Sequence, residues 1–313
     1  MGGFQLVVWA VVPPLLLLVY YYRRVPAPPA VSRLLQFFVV GALTGLVALG
    51  LEWGFEQLAN WLMDWDRITQ SLAGVALRQV VEVGPIEEGS KLGGFVLLQW
   101  KQKRPTRPST VFLLAIAIAL GFTAEENWVY LANGTASILD RLIGTPVHAL
   151  FSAPWGYALA VASCSTIHSN RYRGVIARAW VNAIATHALV NVLSSAWRYS
   201  EPLRFLSYGL FPFLLWMFWR MEGLLQRVQR KPPIVLISGR TPIQRYWQRG
   251  LALFALMLGG NAIFGFFLLA RSLSPLNLSQ LFYPDVWLFI ASRFLLNLIP
   301  ALIAWGIYRY LRH

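Results

Sequence analysis

Nine apolar runs, each of membrane-crossing length, dominate the chain at about 4–22, 34–58, 80–99, 109–132, 144–166, 177–199, 202–220, 250–271 and 285–308. In hydrocarbon every backbone N–H and C=O must find its partner within the chain, so each run is predicted to be a helix. The fold class that follows is all-α, a polytopic helical bundle with eight or nine transmembrane helices forming a single membrane domain over 1–313. Eight follows if the first run is not stable or two short runs pair as a re-entrant hairpin. Charged residues make up only 13% of the chain and hydrophobic residues 57%, against roughly 25% charged in a soluble domain. Such a chain is expected to be a multi-pass protein of the cell membrane, with the lipid bilayer as its solvent.

The net charge of +14 would suit nucleic acid on its own. Its distribution argues otherwise, because the Lys and Arg residues fall in short clusters between apolar runs, and no nucleic-acid partner is expected. Alternate connections hold Arg23, Arg24 and Arg33; Lys101, Lys103, Arg104 and Arg107; Arg171, Arg173 and Arg178; the stretch from Arg220 to Arg249; and Arg309 with Arg312. These contain most of the 27 basic residues, which predicts an N-terminus outside and a C-terminus in the cytoplasm. The first run is followed, not preceded, by its arginines, so it reads as a retained span and not a cleavable signal. Segment 60–79, with Trp61, Asp64, Trp65 and Asp66, is expected at the interface, and 221–249 as a cytoplasmic loop with a brief β-branched piece from Ile234 to Ser238. Cys164 is the sole cysteine and allows no intrachain disulfide. His168 and His313 fall in a loop and at the chain end.

Within this hydrocarbon frame stand charges that a membrane tolerates only for a purpose. Glu87-Glu88-Gly89-Ser90-Lys91 lies in the third run. One charge at bilayer depth costs roughly 2.5–3.5 kcal/mol on insertion scales, and such residues mark functional sites. On a helix Lys91 faces either carboxylate, three and four residues back. One ion pair explains insertion, and the second glutamate is then free to act as a general base or acid. Gly84-Pro85 either kinks this helix or begins it at its first turn. The next run brings Phe122, Glu125, Glu126 and Tyr130. Glu125 and Glu126 lie about 100° apart on a helix, so only one faces the same neighbour. Tyr130, one turn after Glu126, is placed to orient it by a hydrogen bond. His148 opens the following run, and His187 with Asn191 one turn on lies within the next, a pair able to donate hydrogen bonds to an oxyanion. Asn182 reads as packing, and Arg293 in the last run as a residue pairing across helices or with a lipid phosphate.

Glu87-Glu88-x-x-Lys91, Phe122-x-x-x-Glu126, His148 and His187-x-x-x-Asn191, in this order on consecutive spans, resemble the PrsW family of membrane-embedded proteases. That family is related to the CAAX-processing and bacteriocin-processing endopeptidases. The resemblance covers about 80–199, a four-helix catalytic core. It implies a membrane-embedded endopeptidase that hydrolyses a membrane-protein or peptide substrate with no covalent intermediate. Glu87 would activate water, with Glu88 or Glu126 sharing the proton. His187 and Asn191 would stabilise the oxyanion, His148 would position water or substrate, and Lys91 would hold the carboxylates. The best-known PrsW substrates are single-span anti-sigma factors cut outside the cytoplasm. No cofactor is expected. Glu87, Glu126, His148 and His187 have the ligand types for zinc, without the paired spacing of a metal motif. The alternatives are a proton- or cation-coupled transporter using the carboxylates as a relay, which would show an inverted repeat that the sequence lacks, and a non-catalytic scaffold, since the wider superfamily includes one.

Overall fold

A computed structural model of the chain describes residues 2–312 apart from 101–106, 164–169, 233–235, 275 and 278, with the side chains of 100 and 170–172 also outside the description. Cys164, His168, His313, Lys101, Lys103, Arg104, the Arg171 side chain and the first part of the 234–238 piece therefore lie outside the described residues. What is described is helical, with no strand. The helices are α1 (Gly3–Arg24), α2 (Val31–Leu62), α3 (Trp65–Ile68), α4 (Leu72–Arg78), α5 (Gly84–Trp100), α6 (Pro108–Ala132), α7 (Ile138–Gly144), α8 (Val147–Ala162), α9 (Asn170–Ser195), α10 (Leu210–Val228), α11 (Pro242–Leu273) and α12 (Pro284–Arg312).

Six described stretches are long and apolar enough to cross a membrane: α1, α2, α6, Arg173–Arg198 along α9, α11 and α12. The other apolar runs are divided. The run at 80–99 is shared between a π-helical turn (Gln79–Val83) and α5. That at 144–166 begins with the break between α7 and α8, and that at 202–220 opens with a 3-10 stretch, Leu203–Gly209, before α10.

The chain forms two compact units, where one membrane domain is expected from the sequence. The first comprises 1–195 with 221–231. Its axis is α6, which is buried continuously from Ser109 to Ala124. Helices α1, α2, α5 and α8 all pack against it. With neighbours on every side α6 has no lipid face, which is why it shows no amphipathic period. The closest approach is to α2: a Cβ at Gly41 would strike the Ile118 carbonyl oxygen, and one at Gly121 the Phe38 carbonyl oxygen. Gly41-Ala-Leu-Thr-Gly45 in α2 is the small-xxx-small spacing that lets membrane helices touch backbone to backbone.

The approach to α5 explains Pro85. It lies in the first turn of α5, the second of the two placements open from the sequence. It sits at the second position of α5, directly after the π turn, whose Gly84 N–H reaches back five residues to the Gln79 carbonyl. A proline removes a backbone donor and crowds the preceding turn, which a widened turn relieves. The lead-in holds the residues read as interfacial over 60–79. Trp61 is exposed, but Trp65 is buried, and its Nε1 donates to Glu82 at 2.9 Å. Arg78 donates to that Glu82 at 3.2 Å and pairs with Glu56 of α2. Asn60 and Asp66 exchange bonds of 3.1 and 3.0 Å. These charges are bound to one another, so the α2–α5 connection is a built corner.

The cytoplasmic loop expected over 221–249 is also corrected. Helix α10 continues to Val228 and α11 starts at Pro242, leaving only 229–241 between them. The polar residues of that stretch are used: Glu222 takes two bonds from Arg24, at 2.5 and 2.7 Å, and Gln229 donates to the Arg24 carbonyl at 2.9 Å. Thr241 and Gln244 form a capping box that starts α11.

The second unit, 196–220 with 232–313, is built on α11 and α12 packed along each other. Arg293 has no cross-helix partner among the described residues. It is exposed, with its guanidinium over its own helix's Phe289, 5.7 Å from the ring centre.

The backbone contact of α2 and α6 predicts that Gly121→Ala lowers the melting temperature of the detergent-purified protein, at a cost of about 1–3 kcal/mol from overpacking. Gly54→Ala, where an added Cβ meets nothing within 4 Å, leaves it unchanged.

Candidate active site

The charged motif of α5 meets α6, α8 and α9 at one buried point, and its centre is the Lys91 ammonium. Lys91 is fully buried. An ammonium has three N–H donors, and each has an acceptor: Glu88 Oε1 at 2.8 Å, Glu87 Oε2 at 3.2 Å and His148 Nδ1 at 2.9 Å. The Phe122 ring covers it, centre 3.9 Å away. The Phe122-x-x-x-Glu126 spacing thus places an aromatic over the cation and a carboxylate one turn further on.

The lysine also fixes a tautomer. An ammonium has no lone pair, so His148 Nδ1 must accept, and the ring proton is on Nε2. Nε2–H then donates to Glu126 Oε2 at 2.8 Å. Lysine, imidazole and carboxylate form one directed chain across three helices.

The two neighbouring glutamates are not equivalent. Glu88 has no exposed surface, and its second oxygen accepts from Ser152 Oγ at 3.1 Å and Trp155 Nε1 at 2.9 Å. With Lys91 that makes three donors on one carboxylate, an anchor. Glu87 accepts one described hydrogen bond, from Lys91, and its side chain retains 10% exposure against 0% for Glu88. Its Oε2 faces both imidazoles, 3.6 Å from His148 Nδ1 and 3.9 Å from His187 Nε2. Glu87 therefore has spare acceptor capacity beside two rings.

His187 is 1% exposed and stacks on Phe151, ring centres 4.4 Å apart at 13°. Its Nδ1 is buried with no hydrogen-bond partner, 3.6 Å from Glu88 Oε1. Asn191 lies one turn on, but its amide donates to Gln79 Oε1 of the π turn at 2.8 Å. Its described bond thus ties α9 to the start of the motif helix and not to the carboxylates. Tyr130 makes no hydrogen bond to Glu126. It lies against the guanidinium of Arg141, 4.6 Å from the ring centre, and it is Arg141 that pairs with Glu126. Glu125 points to the other side of α6, against Gly45 of α2, with Oε1 buried and unpartnered.

Four contributors escaped the sequence reading. Ser152 and Trp155 lie four and seven residues after His148, a helical stripe of polar atoms that was readable in principle. Phe151 gave no signal as an apolar residue in an apolar run. Arg141 stands in the connection after α6, where it looked like a loop charge.

Both nitrogens of His148 are engaged, Glu88 accepts from three donors, and Lys91 occupies the point where these side chains converge. Among the described residues no three His, Cys, Asp or Glu side chains form a metal-holding group.

An apolar helical bundle enclosing carboxylates, imidazoles and an ammonium defines a multi-pass membrane protein with a buried polar centre. The chain belongs to the PrsW family, matching over residues 29–217 the family described as PrsW family intramembrane metalloprotease. That span holds every residue of the cluster and leaves α11 and α12 outside. Among curated relatives it is similar to Protease PrsW of Clostridioides difficile (strain 630), 26% identical over 41% of this chain and 52% of that protein. It is also similar to Protease PrsW of Shouchella clausii (strain KSM-K16), 22% identical over 60% of this chain and 82% of that protein. The match thus spans about half the length of the first relative. No solved structure matches the chain.

The ammonium at the centre predicts that Lys91→Met, which leaves buried carboxylates unpaired, destabilises the protein by about 3–5 kcal/mol. Trp155→Phe, which removes one of three donors from Glu88, costs about 1–3 kcal/mol. Thermal unfolding of the purified variants reads both.

Proposed function

We propose that this protein is a membrane-embedded endopeptidase that hydrolyses a peptide bond of a membrane-protein substrate through a water activated by Glu87. The observation that carries the reading is the asymmetry of the glutamates: Glu88 accepts from three donors, whereas Glu87 accepts from one and faces two imidazoles with acceptor capacity to spare.

In this reading Glu87 accepts a proton from water as the oxygen attacks the scissile carbonyl carbon. His187, whose Nδ1 has no partner and whose Nε2 stands beside Glu87, donates to the oxyanion that develops. Collapse of the tetrahedral intermediate breaks the C–N bond, and the proton held by Glu87 passes to the leaving amine. Glu88 anchors Lys91, and Lys91 holds both Glu87 and His148. Asn191 serves through Gln79, keeping the π turn and hence the start of α5 in register. No step needs a metal, since the positive charge amid the carboxylates is the ammonium.

The resemblance of the motifs, and the clustering of Lys and Arg in the alternate connections that places the others outside, favour a single-span substrate of the anti-sigma-factor kind, cut towards the extracytoplasmic face. Purified protein reconstituted with a single-span test substrate tests the reading. Glu87→Gln is expected to lower cleavage at least about 100-fold, the scale of a lost general base, with expression and melting retained. Cleavage that survives this change overturns the assignment. Cleavage is also expected to be insensitive to EDTA. Loss of activity on chelation, restored by added zinc, would overturn the metal-free step.

A further inference from the structure

We infer that Arg141, which lies outside the motifs of the cluster, is a positioning residue for the reaction: it fixes Glu126 as an anion that aims His148, and so determines where Lys91 and Glu87 stand. The inference rests on the proteolytic reading given above.

Arg141 belongs to α7, a seven-residue helix none of whose residues is buried. Little apolar packing therefore fixes α7, and a single side chain makes its polar contacts with α6. Arg141 Nη2 pairs with Glu126 Oε2, its Nε donates to Asn127 Oδ1 at 2.6 Å, and its guanidinium lies over Tyr130. One planar fork thus engages three residues within five positions of α6, a geometry that lysine cannot reproduce. Asn127 in turn donates to the Ala10 carbonyl of α1 at 3.4 Å.

The oxygen that Arg141 holds is the one that receives His148 Nε2–H. From the surface inward the order is Arg141, Glu126, His148, Lys91, Glu87, with each link a described contact. A neutral Glu126 could turn its hydroxyl to His148 Nε2, and in that arrangement the ring proton would sit on Nδ1 and meet the Lys91 ammonium donor to donor. A guanidinium on Glu126 opposes that flip. Arg141 touches none of the reacting atoms, so its effect travels through Glu126 alone.

A double-mutant cycle in the full-length reconstituted protein tests this. Arg141→Gln is expected to lower kcat by about 10- to 100-fold, the usual effect of removing a partner of an active-site ligand, with KM changed less than about twofold. In a Glu126→Gln background, where the held carboxylate is already absent, the same change is expected to cost less than about threefold. Arg141→Lys, retaining charge without the fork, falls between wild type and Arg141→Gln, and its deficit also disappears in the Glu126→Gln background. If Arg141→Gln fails to fold, the lysine variant carries the cycle. Equal losses in both backgrounds, or a raised KM at unchanged kcat, would overturn the inference and make α7 a structural or substrate-docking element. A wild-type protein that cleaves no single-span substrate sinks the protease reading and the kinetic claim with it, whereas additive losses in a cleaving enzyme sink the Arg141 claim alone.

Discussion

One buried ammonium organises the centre of this protein. Lys91 has no contact with water and has used all three of its donors, on two glutamates of its own helix and on a histidine of another. Removing the ammonium would leave two buried carboxylates without their cation, the costly way to break a buried ion pair. Its members come from α5, α6, α8 and α9, so the charge balance also specifies how four helices meet. Apolar contact between membrane helices is weakly directional. The polar cluster supplies the direction.

That arrangement depends on where α5 begins. The π turn before Gly84 rotates the start of the helix, and it is held from two sides: Gln79 accepts from Asn191 on α9, and Arg78 with Glu82 ties the preceding turn to Glu56 and Trp65. A widened turn has poorer backbone geometry than an α-helical one and persists only where its surroundings hold it. The corner built of Trp65, Arg78, Glu82 and Glu56 is thus the scaffold behind Glu87, although none of its side chains reaches the carboxylates of the centre.

The sequence made the apolar runs and the charges within them legible for a simple reason: a charge in hydrocarbon is conspicuous, and helical spacing turns Glu87, Glu88 and Lys91 into neighbours without tertiary knowledge. It was less informative where meaning depends on a partner distant in the chain. Arg141 looks like any loop arginine until α7 folds back on α6, and Tyr130 looks like a hydrogen-bond donor to Glu126 until that arginine intervenes. Trp65 carries an aromatic-belt signature and is buried instead, because Glu82 offers its indole an acceptor. The polar residues at 221–228 suggested a loop, but Arg24 and Glu222 complete one another and the helix runs on. In each case the deciding interaction spans more than one turn of sequence.

The charges also set the three carboxylates of the centre apart from one another. Three carboxylates, Glu87, Glu88 and Glu126, are set against two cations, Lys91 and Arg141. A scaffold would be best served by equal numbers, since every unmatched charge raises the cost of burial. By formal count the carboxylates here outnumber the cations by one. Glu88 has three donors, and Glu126 has an arginine and an imidazole, which leaves Glu87 the carboxylate with the fewest partners and the most exposed side chain of the α5 charges. In the proposed reading the spare acceptor of Glu87 is where the attacking water is held, beside His187.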